Sequence, residues 1–146
     1  MSPAVELPPR RRLYLDTSAY LCILLGEEGS ARLVKETSGA ELLSSVLLVL
    51  EARRNLIRLA REGTLAAAQY KACMDRVEQD VELFVLRDLT LDLCDSNLVP
   101  AVATPRSLDL AHLRTALWFH AAERLDRFVT QDGSQAQAAR ELGLPV

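Results

Sequence analysis

Four acids in this 146-residue chain stand out by what surrounds them. Asp16 ends the apolar run Leu13-Tyr14-Leu15 and is followed by Thr17 and Ser18. Glu51 is the first charge after Val46-Leu47-Leu48-Val49-Leu50. Asp109 lies near the start of the helical stretch Ser107-Leu108-Asp109-Leu110-Ala111-His112. Asp132 follows the strand-like run Phe128-Val129-Thr130. A charge set beside a core is costly unless it is paired or bound to a metal. Two of these acids follow predicted strands and two lie in early helical turns. In a parallel α/β sheet those positions share the carboxyl edge. Converging carboxylates repel, and a divalent cation can neutralise them. An all-oxygen donor set favours Mg2+ or Mn2+. Such an ion can lower the pKa of a bound water and clamp a phosphodiester during in-line displacement.

Each acid also has an ordinary structural reading. Asp16 can simply N-cap the helix that follows it. Glu51 can be a helix-surface acid, with Arg54 and Asn55 three and four residues on. Asp109 can favour a helix dipole, and Asp132, before Gly133, can be a turn residue. Taken one at a time these readings suffice; taken together, the acids point to a shared site. Arg54 and Arg58 recur at helical spacing beside Glu51, as phosphate contacts or as a solvated charged face. His112, one turn from Asp109, reads as a packed helix residue, and Trp118 and Phe119 as core or interface.

The elements that must position these acids alternate in type. Residues 13–15 read as a buried strand and 19–25 as helix. After a loop at 26–30, Ser30 is suited to cap a helix from 31 to about 37. Residues 41–44 read as a short strand. A long helix runs from 45 or 46 to 62, stopped by Gly63. Thr64 is placed to cap a helix from 65 to about 79. Residues 81–86 alternate weakly, are β-rich and read as a strand, and 91–98 read as a short helix ended by Pro100. A helix at 107–124 and a strand at 127–130 follow. The last helix, 134–141, has Ser134 and Gln137 at capping-box spacing. Gly143 ends it, and Leu144-Pro145-Val146 is a candidate edge strand. Strands alternating with helices predict a parallel sheet covered on both faces. No linker or repeat divides residues 11–146, which read as one domain. Residues 1–10, with Pro3, Pro8 and Pro9, read as a flexible tail.

The composition, 49% hydrophobic and 25% charged, is that of an ordinary globular protein. The net charge of -3 supplies no global basic field for nucleic acid, so such a partner requires local neutralisation of the acids. Cys22, Cys73 and Cys94 form no CxxC pair and read as reduced, mostly buried thiols of a cytosolic protein. Sulfur-bound zinc is not expected. Asp16 interrupts the apolar stretch after Arg10-Arg11-Arg12, and the uncharged run 17–26 is too short to span a bilayer. No membrane partner is expected, and the location is read as cytoplasmic. A phosphotransfer receiver needs a paired acid at the first strand and a late lysine, but the only lysines are Lys35 and Lys71, both on predicted helices. A phosphatase with an aspartate nucleophile would want an acid two residues after Asp16, where Ser18 stands.

Four segments in order carry a resemblance to a known family. They are Leu13-Tyr14-Leu15-Asp16-Thr17-Ser18, the helix from Ser44-Ser45-Val46 through Leu50-Glu51-Ala52-Arg53-Arg54, and Ser107-Leu108-Asp109-Leu110-Ala111-His112-Leu113 with Thr115-Ala116. The fourth is Phe128-Val129-Thr130-Gln131-Asp132 with the tail Ala138-Ala139-Arg140-Glu141-Leu142-Gly143-Leu144-Pro145-Val146. The chain resembles PIN domains, and most of all the VapC-type toxins of toxin–antitoxin pairs. The resemblance covers nearly everything after the N-terminal tail. It implies a PIN-like three-layer α/β/α fold with a central parallel sheet, and an endoribonuclease dependent on Mg2+ or Mn2+ that cuts single-stranded RNA. It also implies a homodimer held in check by a cognate antitoxin protein. By the match, Asp16, Glu51, Asp109 and Asp132 are the catalytic metal-site acids, supported through hydrogen bonds by Ser18 and Thr130. Apolar helices near 47–59 and 65–77 offer surface for a dimer. Arg10-Arg11-Arg12, the proline-rich tail and Arg114, where a small residue is expected, depart from the family pattern. A catalytically silent PIN-like module that binds RNA or protein is the alternative reading.

Overall fold

The computed structural model describes residues 2–6, 8–95, 101–103 and 106–146. The elements run β1 (Arg12–Leu15), α1 (Thr17–Leu25), α2 (Ser30–Thr37), β2 (Glu41–Ser45), α3 (Leu47–Arg61) and α4 (Ala67–Val81). They continue as β3 (Phe84–Arg87), α5 (Leu91–Cys94), α6 (Ser107–Ala122), β4 (Arg127–Val129) and α7 (Gly133–Glu141). All strand pairings are parallel, in the order β3-β2-β1-β4, which is the expected α/β/α sheet.

Strand β1 is central and buried along its whole length. Its side chains alternate between the two faces, as a pleated strand requires. Tyr14 packs with Leu43 of β2, Phe128 of β4, Leu113, Ala116 and Phe119 of α6, and Ala138 and Ala139 of α7. Leu13 and Leu15 face the other way, toward Ala19 and Cys22 of α1, Leu33 of α2 and Val129 of β4. Each fully buried leucine or phenylalanine here contributes roughly 1.5–3 kcal/mol. A third cluster joins Tyr20 of α1 to Leu48, Ala52 and Leu56 of α3 and Val77 of α4. The apolar faces of α3 and α4 are thus largely spent on each other and on α1. Leu50 and Ile57 remain exposed on α3, so these helices offer less dimer surface than their composition suggests.

Several boundaries differ from the sequence reading, each for a local reason. Ser30 is already helical, and Gly29, at φ 87, makes the entry to α2 in a conformation only glycine adopts freely. Thr64 does not cap α4. After Gly63 (φ 76), the amides of Thr64 and Leu65 both return to the Leu59 carbonyl, closing α3. Helix α4 starts at Ala67, where the Gln69 side chain accepts from the Ala66 amide at 3.1 Å. Val81 stays helical because the preceding Asp80 is anchored, accepting from the Tyr20 hydroxyl and the Arg76 guanidinium. Strand β3 therefore begins at Phe84. Helix α6 ends at Ala122 and β4 at Val129. Of the helix expected at 91–98, residues 91–94 are helical, while 96–98 and Pro100 lie outside the described residues.

Asp132, not Ser134, caps α7, accepting from the Ser134 and Gln135 amides. Residues 144–146 form no strand; a single bond from the Phe128 amide to the Pro145 carbonyl (2.6 Å) ties them to β4. The cysteines are free, but only Cys22 is buried; Cys94 is exposed. Phe119 is core, whereas Trp118 is 42% exposed under the Arg87 guanidinium, 4.5 Å from its ring centre. Among the described residues no helix is long and apolar enough to cross a membrane.

Candidate functional site

The turn from β1 into α1 places Asp16 at the carboxyl edge of the sheet. Its extended backbone lets the side chain cap α1, with Oδ1 accepting from the Ala19 amide at 3.1 Å. The Ser18 hydroxyl donates to the same oxygen (2.7 Å), and the Thr130 hydroxyl donates to Oδ2 (2.5 Å). The Asp16 amide reaches the Val129 carbonyl, so the ends of β1 and β4 are stitched together here. Asp16 is only 4% exposed. Burial pushes its carboxyl above the usual carboxylate range, and the three donors oppose that shift. The Gln131 amide donates to Ser18 Oγ and the Asp132 amide to Thr130 Oγ1, which fixes the loop carrying Asp132.

Glu51 projects from the second turn of α3. That helix starts immediately after β2, where Ser45 Oγ accepts the Leu47 amide. Glu51 Oε1 accepts from the Thr17 hydroxyl at 2.8 Å and lies 2.9 Å from His112 Nε2. Burial alone would raise the Glu51 carboxyl, but the hydrogen bond with His112, aided by that from Thr17, holds it below its ordinary value.

Asp109 sits in the first turn of α6. The buried Gln135 of α7 donates from Nε2 to the Asp109 backbone carbonyl at 2.8 Å, locking the starts of α6 and α7 together. The Asp109 carboxyl is raised by burial first and then by the charges of Asp132, Asp16 and Glu51. Asp132, Asp16 and Glu51 therefore all lie within electrostatic reach of Asp109.

Glu51, Asp109 and Asp132 line one pocket of about 590 Å3, together with Arg54, Asn55, Arg106, Leu108 and Ser134. Asp16 is not among the lining residues. Among the described residues, no three His, Cys, Asp or Glu side chains are grouped so as to hold a metal ion. The chemistry of the donor set nevertheless fits a hard cation. It is all carboxylate, and in Asp109 it carries a charge that its neighbours oppose.

Arg54 lies on the pocket wall, whereas Arg58 is not among the lining residues and is held by Glu62 (3.1 Å) and by donation to Asn55 Oδ1. Sequence reasoning missed Arg106, which immediately precedes α6, and Gln135. It also read His112 as packing alone. His112 is packed, at 2% exposure, yet it hydrogen-bonds Tyr14, Thr17 and Glu51. The available signal was its position one turn after Asp109, on the face that returns to β1.

No family model matches the chain, and no curated protein matches its sequence.

Proposed function

We propose that this chain is a divalent-cation-dependent endoribonuclease acting on single-stranded RNA, of the kind found as the toxin in type II toxin–antitoxin pairs. The observation that carries this reading is the gathering of four acids at the carboxyl edge of one parallel sheet, three of them on a single pocket. Asp16, Glu51, Asp109 and Asp132 would hold Mg2+ or Mn2+. Such an ion, when bound, supplies an acidified water and charge stabilisation on the phosphoryl oxygens. Arg54 and Arg106 on the pocket wall are suited to phosphate. Asn55 and Ser134 offer neutral hydrogen-bonding groups at the same wall. Ser18 and Thr130 hold Asp16 in place, so the buried carboxylate keeps one orientation.

The resemblance to VapC-type toxins adds a cognate antitoxin, a homodimer and a cytoplasmic setting to the proposal. A small DNA-binding protein encoded just upstream would support the toxin role. The test of the activity is incubation of purified protein with unstructured and duplex RNAs, with Mg2+ or Mn2+ and again with EDTA. Cutting of the unstructured RNA that needs the cation is expected; cutting undiminished by full chelation overturns the mechanism.

One observation favours a second reading, a PIN-like module that binds RNA or protein without cutting. Among the described residues the acids are not already grouped as a metal cage. RNA binding that persists with no cleavage under any divalent ion would establish that module instead.

A further inference from the structure

The environment of His112 is built on three sides. Nδ1 lies 2.8 Å from the Tyr14 hydroxyl. Nε2 lies 2.9 Å from Glu51 Oε1 and 3.1 Å from the Thr17 hydroxyl. The ring is 2% exposed, and its edge meets the Tyr14 ring at 5.9 Å and 78°. Tyr14 itself is fully buried and stacks on Phe128 at 5.4 Å.

We propose that His112 is a positioning residue for Glu51, with the Tyr14 hydroxyl donating to Nδ1 and Nε2–H donating to Glu51 Oε1. The assignment follows from which atoms need protons. A carboxylate oxygen 2.9 Å from a bare ring nitrogen would be repelled, so an ionised Glu51 requires a proton on Nε2. The Tyr14 hydroxyl, 2.8 Å from Nδ1 and able to donate, suits the bare Nδ1 that this tautomer leaves. Thr17 gives Oε1 its second donor. Oε1 is thus committed, and Oε2 is the oxygen left for the pocket. The chain Tyr14–His112–Glu51 ties the core of the sheet to the site across 98 and 61 residues of sequence. In metal sites, partners of this outer kind orient the ligating carboxylate. The functional half of this inference rests on the cation reading above; the hydrogen-bond half does not.

The experiment has two arms. In the first, nitrogen-15 NMR of the metal-free full chain at neutral pH reads the protonation of the His112 ring. A proton on Nε2 with bare Nδ1 is expected, and a protonated Nδ1 overturns the proposal. Tyr14→Phe, which keeps the stacked ring and removes only the hydroxyl, should weaken that tautomer preference; an unchanged spectrum also overturns it. In the second arm, Mn2+ binding is measured by calorimetry without RNA. His112→Leu should weaken binding on the order of 10–100-fold, and His112→Gln, which retains an N–H donor, should recover most of the loss. In a Glu51→Gln background the same His112 changes should have no further effect. A merely structural histidine predicts equal losses in both backgrounds and no rescue by Gln. Should His112→Leu fail to fold, Tyr14→Phe carries the second arm as well. A parent with the expected tautomer that takes up no Mn2+ refutes the cation reading and leaves the hydrogen-bond assignment standing. A parent that binds Mn2+ equally well without the His112 donor refutes the assignment and leaves the cation reading standing.

Discussion

Asp132 performs two tasks that a pair of substitutions can separate. Its Oδ1 accepts from the Ser134 and Gln135 amides at 2.9 and 3.4 Å, capping α7, and its charge adds to the field that raises Asp109. Helix α7 presents Gln135, Ala138 and Ala139 to the interior, so a frayed first turn is felt in the core. Replacing an aspartate cap by alanine costs about 1 kcal/mol, within a range of roughly 0.5–2, whereas asparagine caps about equally well. For a chain of this size 1 kcal/mol corresponds to about 2–4 °C in melting temperature. Without metal, Asp132→Ala should therefore melt a few degrees below the parent. Asp132→Asn should match the parent or exceed it, because one of four like charges is gone. With Mg2+ at a hundredfold excess over its dissociation constant, the parent should gain about 2.7 kcal/mol, and both variants far less. Thermal melts of the three proteins, with and without Mg2+, read all of this. An Asp132→Asn variant that responds to Mg2+ as fully as the parent would reduce Asp132 to a cap and refute its place in the site.

Asp109→Asn should abolish RNA cleavage while the metal-free protein melts at or above the parent. The Asp109 carboxyl titrates higher in the fold than in the unfolded chain, so the fold holds that proton more tightly and its contribution to stability declines as pH rises through the raised value. The variant's advantage should accordingly widen from about pH 4 toward 7; an advantage that shrinks over that window would contradict the charge-repulsion account. Glu51 works in the opposite sense, its lowered carboxyl favouring the fold above the ordinary carboxylate range. Arg54→Ala and Arg106→Ala should each weaken RNA cleavage on the order of tenfold, chiefly through KM, while Arg58→Ala, whose side chain is exposed and paired with Glu62, should change it little. Equal losses at all three arginines would show a diffuse charge effect. Light scattering at micromolar concentrations should report a dimer, and a monomer throughout would count against it.

The carboxyl-edge placement of the acids was legible because each follows a pattern that local physics fixes. An apolar strand ends before Asp16, another just before Asp132, an apolar helical start brings in Glu51, and Asp109 stands in the first turn of its helix. Asp16 and Asp132 prove to be helix caps as well, so their ordinary reading and their place at the site coexist. What stayed hidden depends on contacts far apart in the chain. Nothing local to His112 announces that its partners are Tyr14 and Glu51, and nothing near Arg106 announces a pocket wall. The long apolar helices suggested spare surface because sequence does not reveal that α3, α4 and α1 bury one another. Val81 looked β-prone, but the anchoring of Asp80 by Tyr20 and Arg76 extends the helix through it. Ser134 looked like a cap until the geometry gave that role to the acid two residues earlier.

The central claim, that these four carboxylates form one cation site, is tested most directly by crystals soaked in Mn2+ and measured at a wavelength where manganese scatters anomalously. The expected result is a peak among the carboxylates of Asp16, Glu51, Asp109 and Asp132, with at least one of their oxygens at about 2.1 Å, the distance of a small octahedral cation. Mn2+ found only elsewhere on the surface at millimolar concentration, with these carboxylates unmoved and the pocket empty of it, would contradict the claim.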